Sequence, residues 1–429
     1  MLLTALLPLF LTAPDDLLVS QFLPAAVARH DATTGAYVGG LSPSPLDGTL
    51  GSTIGPDGML YLCSEGTDQV LRFDPTTGAY VDVFIGDDPA TTLDESGGLD
   101  TPSGIVFGPD GMAYVGDFEG DRILRYDGQG GAFMDVFVLS GDGSLNGPDA
   151  GFCFGPGGDL FVPSYWNKRI KRFDGSTGAF IENFLGPIGS PLLNPRMVRF
   201  TDDGFAFAVS EGSDQVLRFD GTTGVFIDVL VGDDPTTTFD ESGGLDNPTA
   251  MAFGPDGMLY VTSGATNQVL RYTYPSGTFV DVFADSSQSG GDLPTFLLFR
   301  TAADNYCAGA PNSLGAGAHL CAHGFTSLGA NNFELGLSAA PTSQFAVMFY
   351  GSTTTNVPAG NGTLCVGGNV FRLPTQQIGP AGLANWEVDF GSLPVGGAIT
   401  AGSTWHFQAA YRDAGSFNFS DALRATFTP

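Results

Sequence analysis

Lysine is nearly missing from this chain: Lys168 and Lys171 are the only two in 429 residues. Lysine and arginine together number 16 against 46 aspartates and glutamates, a formal net charge of −30. Binding a phosphate backbone needs clustered bases, so nucleic acid is excluded as a partner. Histidine and cysteine are also scarce, at four and five residues, and no CxxC pair occurs, which argues against a thiolate zinc site and a disulfide framework. No apolar run approaches the ~18–20 residues of a membrane helix. A strict three-residue glycine period is absent despite 62 glycines, which excludes a collagen-like chain. What is present is a 12% aromatic and 42% hydrophobic content, too rich for an acidic disordered tail. A soluble, glycine-rich, all-β protein remains.

Residues 1–13, MLLTALLPLFLTA, have the length of a signal-peptide core and are too short to span a bilayer. They lack a basic n-region, and Pro14 directly follows Ala13. Export is the expectation, to a secreted, periplasmic or cell-surface location; the alternative is a buried first strand. Acidity is uneven along the chain. Residues 301–429 hold six acids and three bases, so −27 of the charge falls before residue 301. Cys63 and Cys153 lie in apolar strand-like stretches and read as small core residues. A Cys307–Cys321 bridge is plausible in an oxidising compartment, with Cys365 left over.

An internal repeat organises the first 300 residues. GPDGMLY at 55–61 returns as GPDGMAY at 108–114, GPGGDLF at 155–161, TDDGFAF at 201–207 and GPDGMLY at 254–260, with spacings of 53, 47, 46 and 53. Each is followed by a second phrase of the type VLRFDPTTGAYVDVF (70–84), and a further copy of that phrase, VARHDATTGAYV, opens the series at 27–38. GPDG is a turn sequence between short apolar runs, and DxxTG is a second hairpin in which Asp accepts from turn amides and Gly takes φ > 0. Four antiparallel strands per unit make one propeller blade. The N-terminal segment supplies the last three strands of a blade, and LPTFLLF at 293–299 supplies the missing first strand. Together they close a six-bladed ring over 14–300, leaving no bare sheet edge.

These phrases, above all SGGLDNPTAMAFGPDGMLYVTSGATNQVLRY at 242–272, resemble six-bladed propellers of the NHL and SMP-30/gluconolactonase-like superfamily over roughly residues 15–300. That group includes lactonases, lyases and binding modules, so the resemblance speaks to fold more than to function. For the lactonase-like members it implies a divalent metal over the central channel, held by acidic and amide side chains from inner strands. Here the inner-strand bodies GSTIG, GIVFG, GFCFG, MVRF, AMAFG and FLLF contain no Asp, Glu, Asn or His. His30 is the propeller's one histidine, at a position where other copies carry Phe or Tyr, and it reads as packed. No catalytic residue is assigned, and no GxSxG, HExxH or phosphate loop occurs.

The two tight hairpins of each unit should share one face, and the variable middle and inter-blade connections the other. Two inter-blade loops, 85–104 and 231–250, are near-copies three units apart. Their acids, Asp87, Asp88, Asp94, Glu95 and Asp100 in one and Asp233, Asp234, Asp240, Glu241 and Asp246 in the other, suit Ca²⁺. The alternative is a solvated loop in which Asp caps turns. The middle connections run 65–68, 118–121, 165–168, 211–214 and 264–267. In the third of these, Tyr165 and Trp166 stand beside Lys168, Arg169, Lys171 and Arg172, with Arg196 and Arg199 in the next inner strand. An anionic or sugar-like ligand could stack there; an inter-blade contact is the alternative. Arg72, Arg125, Arg172, Arg218 and Arg271 recur in register and read as structural.

After residue 300 the repeat stops, and about six or seven strand-like stretches in 301–429 predict a β-sandwich. The phrases YCAGAPNS, GNGTLCVGG and GSTWHFQAAYRD resemble a C-terminal domain appended to secreted bacterial propeller proteins, a likeness that carries no function. Trp386, Trp405 and Tyr411 alternate like core residues, with sugar stacking as the alternative, and His319 and His323 make a weak metal pair. The expected function is an exported binding or scaffold propeller that presents its variable acidic face to a protein, glycan or small molecule. The rival is a metal-dependent lactonase, hydrolase or lyase, which requires acidic or histidine side chains converging over the channel.

Overall fold

The computed structural model describes residues 16–41, 45–87, 94–186, 189–201, 203–233, 236, 239–300, 303–315, 317–380, 382–413 and 415–429. The apolar segment 1–13 lies outside them. The chain divides into two compact units, Leu17–Arg300 with Ile378–Leu383, and Thr301–Gln377 with Ala384–Pro429.

The first unit is a six-bladed propeller of four-stranded sheets. Blade I joins both ends of the repeat: Asp292–Arg300 pairs beside Asp16–Leu23, followed by Ala26–Asp31 and Tyr37–Gly40. Blade II runs Thr49–Ile54, Leu60–Ser64, Gln69–Phe73 and Tyr80–Ile85. Blades III to VI follow in the same up-and-down order and begin near residues 102, 148, 195 and 248.

The turn chemistry is local. In GPDG, Asp57 accepts from the Met59 N–H at 3.0 Å and from the Tyr61 hydroxyl at 2.9 Å, while Gly58 takes φ 77°. Asp110 with Tyr114 and Asp256 with Tyr260 repeat the hydroxyl bond at 2.9 Å. In the second hairpin Asp74 accepts from the Thr76 N–H at 2.8 Å, and Gly78 has φ 74°. The recurring arginines are structural: Arg72 faces Asp82 across the outer strand pair, with Nε at 2.9 Å from Oδ1, and Arg125, Arg218 and Arg271 repeat the pairing with Asp135, Asp228 and Asp281.

Between blades the core is aromatic. Tyr61 meets Phe84 of its own blade at 4.7 Å and Phe107 of the next at 5.0 Å, both edge-to-face. Tyr114, Phe161 and Tyr260 head the same trio at later junctions. A polar link accompanies it. The last residue of the middle loop is left-handed in five blades: Asp68, Asp121, Lys168, Asp214 and Asn267, at φ 53–59°. Four of these accept a backbone N–H from the following blade: Asp68 from Thr101, Asp121 from Gly147, Asp214 from Asn247 and Asn267 from Leu293, at 2.7–2.9 Å. Lys168, at the junction of blades IV and V, carries no acceptor.

That junction is built differently. The inner strand of blade IV shrinks to Cys153–Phe154, and Gly151 instead bridges in parallel to Met197 of blade V. The Gly151 N–H donates to Arg196 O and the Val198 N–H to Gly151 O, each at 3.0 Å. A Cβ at position 151 would stand 2.3 Å from Met197 Cβ, so only glycine allows this approach.

The second unit is a β-sandwich of ten strands among the described residues, in sheets of five, three and two. The count exceeds the six or seven expected because TLCVGGNVFRLP breaks at Gly368 (φ 79°) into Gly362–Gly367 and Phe371–Gln377. Thr353–Ala359, with five of its seven residues exposed and none buried, also lacks the alternation that marks a strand. Trp386, Trp405 and Tyr411 are buried in the core. The cysteine pairing also differs from expectation. Cys307 is bonded to Cys365, 58 residues on with Cα atoms 6.4 Å apart, and Cys321 takes no part in that bond, its sulfur lying 3.2 Å from His323 Nε2. Cys321 sits in the three-stranded sheet and Cys307 on the edge of the five-stranded one. His319 and His323 end one strand, roughly 13 Å apart at ~3.3 Å per residue, too far to share an ion.

Candidate binding site

On the face of the middle and inter-blade loops, all six blades contribute to one pocket of about 290 Å³. Blade I supplies Phe22, Leu293, Pro294 and Thr295; blade II Leu50 and Glu65; blade III Thr101, Ser103 and Phe118. Blade IV gives Asp149, blade V Arg196 and Glu211, and blade VI Asn247, Thr249 and Gly264. A pocket lined from every blade lies on the ring axis.

Two repeat positions build it. The first residue of the middle loop is Glu65, Phe118, Tyr165, Glu211 and Gly264 in blades II to VI. The start of the inner strand supplies Leu50, Ser103, Arg196, Thr249 and Thr295. Asp149 follows Pro148, which pairs with Ser164 as Pro102, Pro195 and Pro248 pair with Asp117, Ser210 and Ser263, so it shares the position of Ser103, Arg196 and Thr249, with one extra residue before Gly151.

The irregular junction between blades IV and V sets the electrostatics. Arg196 donates from one terminal nitrogen to Asp149 Oδ2 at 2.9 Å and from the other to Glu211 Oε1 at 3.1 Å. Asp149 is buried, and its second oxygen accepts the Ala150 N–H at 2.7 Å. The Tyr165 hydroxyl donates to Glu211 Oε2 at 2.6 Å, and its ring lies under the guanidinium, 5.2 Å from centroid to Cζ. Burial works against the Arg196 cation, but Asp149 and Glu211 outweigh it and hold its pKa above the ordinary value. Burial pushes Asp149 up, with Arg196 opposing. Tyr165 is pushed up to about 12 by burial and by its bond to Glu211. Glu65 is raised by burial, with Arg196 opposing and Asp149, Glu119 and Asp47 adding to the shift. Among the described residues the Glu65 side chain makes no hydrogen bond or ion pair.

The basic-aromatic patch expected in blade IV separates into parts. Tyr165 and Arg196 join the axial site. Trp166 is 60% exposed beside Tyr165, and Lys168 is exposed. Lys171 is buried, donating to Gly143 O at 2.7 Å and Asn183 Oδ1 at 3.1 Å. Arg199 donates to the carbonyls of Gly151 and Val198.

In the duplicated loops, Asp88 and Asp234 lie outside the described residues. Asp87 Oδ1 accepts the N–H groups of Glu95 and Ser96, and Asp94 Oδ1 accepts that of Gly98. Asp233 and Asp240 repeat this toward Ser242 and Gly244, while Glu95 and Glu241 are exposed. The Ser96 amide holds Asp87 below the usual carboxylate range. Among the described residues no three His, Cys, Asp or Glu side chains form a group that could hold a metal ion.

The divalent metal implied by the lactonase-like resemblance does not suit the axial side chains. Arg196 already stands between Asp149 and Glu211, and the remaining Asp149 oxygen is taken by a backbone amide. The axial acids are nevertheless real, and the inner-strand bodies did not reveal them. They come from the residue after the inner-strand proline and from the first residue of the middle loops. The signal was one extra residue between Pro148 and Gly151 in one repeat, which places Asp149 where other blades carry Ser103, Arg196 and Thr249.

No family model matches the chain, and no curated protein matches it in sequence. Solved structures match in shape. A crystal structure of the nidogen–laminin complex aligns at TM-score 0.50 and 19% identity, covering 67% of this chain and 98% of that one. A protein of unknown function from Bacteroides caccae aligns at TM-score 0.50 and 12% identity, covering 67% and 99%. A catalytically inactive virginiamycin B lyase from Staphylococcus aureus, with quinupristin, aligns less closely, at TM-score 0.44 and 17% identity, covering 68% and 94%. At these identities the likeness concerns the propeller fold.

Proposed function

We propose that this chain is an exported binding propeller whose ligand enters the axial pocket on its variable loop face, with no catalytic step. The observation that carries the reading is the Asp149–Arg196–Glu211 arrangement. It places a fixed cation where a hydrolase of the SMP-30/gluconolactonase-like type would need an exchangeable metal, and leaves a walled, partly apolar pocket above it. The Cys307–Cys365 bond and the signal-like segment 1–13 support export. The NHL-like repeat supports membership of that propeller superfamily, and the sandwich is an accessory domain. Calcium in the duplicated loops would be peripheral to the pocket, held by the Asp oxygens that the turn amides do not use.

The test blocks the pocket. Gly264 occupies the position of Phe118 and Tyr165 in other blades, so Gly264→Phe adds a ring at a position that lines the pocket, its Cβ 3.0 Å from Asn247 O, which must give by a few tenths of an ångström. Ligands found by thermal shift on the full chain should lose their effect in this variant, while its own melting stays cooperative. Lactone hydrolysis that depends on added divalent ions and disappears in Gly264→Phe would overturn the reading.

A further inference from the structure

We infer that the axial pocket takes a small organic cation, an alkylammonium or guanidinium group seated against the Glu65 carboxylate. The inference rests on the binding reading above and names its ligand class.

The argument is an inventory of protons. Ser103 donates its hydroxyl to Pro148 O at 2.6 Å, Thr249 to Pro294 O at 2.9 Å and Thr295 to Thr49 O at 2.7 Å. Each hydroxyl has one proton, so these three wall residues have none left to donate to a ligand. Both terminal nitrogens of Arg196 are engaged by carboxylates. Side-chain donors in the wall are limited to the Asn247 amide and the Arg196 N–H groups beyond those two bonds, of which the buried Nε has no partner among the described residues. An anion would meet Asp149, Glu211 and Glu65 with no uncommitted cation. A sugar needs donors as well as acceptors. An ammonium or guanidinium group only donates, which is what this wall receives.

Charge points the same way. Glu65, Asp149 and Glu211 against Arg196 leave the lining with two negative charges when ionised, and Glu65 is the carboxylate with no bonded partner among the described residues. Phe22 and Phe118 also line the pocket, and aromatic rings can attract a cation and remove an alkyl stem from water. The volume of about 290 Å³ is at the small end for ligand pockets. The propeller's net −27 raises the local concentration of any cation.

Isothermal titration of the full chain with agmatine, putrescine, glucose and gluconate at pH 7.5 tests the class. Agmatine or putrescine should bind one to one, at least tenfold more weakly to Glu65→Gln, and not at all to Gly264→Phe. Affinity should fall as pH is lowered toward 4.5, because Glu65 takes up a proton more readily than an exposed glutamate; Arg196, Asp149, Glu119 and Asp47 are the charged groups around it. A cation bound equally well by wild type and Glu65→Gln overturns the assignment. Glucose or gluconate bound by wild type but not by Gly264→Phe, with neither amine bound, overturns the cation class and leaves the pocket reading standing. If none of the four binds, the cation class falls, and a wider thermal-shift screen decides the pocket reading separately.

Discussion

Burial in the pocket wall raises the pKa of Glu65 above its ordinary 4.5, and Arg196, already shared by Asp149 and Glu211, only partly opposes the shift. A carboxyl whose folded pKa is raised binds its proton more tightly in the folded state. Its favourable contribution is therefore complete below about pH 4.5 and lost as pH rises through the folded value. Glu65→Gln should accordingly melt higher than wild type at pH 7 without ligand, and the difference should vanish near pH 4. Scanning calorimetry at the two pH values checks this; a destabilised variant at pH 7 would mean that Glu65 holds a structural bond. Such residue-scale facts were only partly legible. Glu65 and Glu211 were visible as loop residues, but nothing in the sequence says that first loop positions point to an axis. Asp149 required noticing the one-residue insertion after Pro148, because the acid lies just outside the apolar stretch that identifies the strand.

Elements were the most legible scale. The GPDG and DxxTG hairpins, the register of the recurring arginines and the shared first blade follow from turn chemistry and alternation, and all of them are present. The exceptions lie at one junction. The aromatic and basic loop of blade IV sets it apart in the sequence, yet the difference that matters is backbone pairing through Gly151, which composition does not display. The left-handed loop residues sharpen this. Asp68, Asp121, Asp214 and Asn267 link successive blades, whereas Lys168 holds the same backbone at φ 57° without an acceptor. Asparagine tolerates that conformation better and can accept from the neighbouring blade. Lys168→Asn should therefore stabilise the propeller by about 1 kcal/mol in urea unfolding. A loss of stability would show that the junction has no amide for it to accept.

On the scale of the whole molecule, stability divides between a ring closed by its own ends and a sandwich closed by a cross-link. Blade I exists only when Asp292–Arg300 meets Asp16–Leu23, so the ring melts as a unit. The Cys307–Cys365 bond closes a 58-residue loop, worth about 4 kcal/mol in the chain-entropy model. Cys307→Ala with Cys365→Ala should lower the sandwich transition in calorimetry and leave the propeller transition in place. Equal lowering of both transitions would contradict this division. The sequence placed Cys307 in the bond correctly but chose its nearer neighbour, since spacing carries no information about which sheet a strand joins. A charge of −30 argues against nucleic acid as a partner, and with −27 of it before residue 301 it favours a cationic ligand. A crystal structure of the full chain soaked with agmatine tests the central claim most directly. The account predicts a guanidinium or ammonium group within hydrogen-bond distance of Glu65, with Arg196 still between Asp149 and Glu211. Agmatine on another surface with the pocket empty, or a metal ion displacing Arg196 from its two carboxylates, would contradict it.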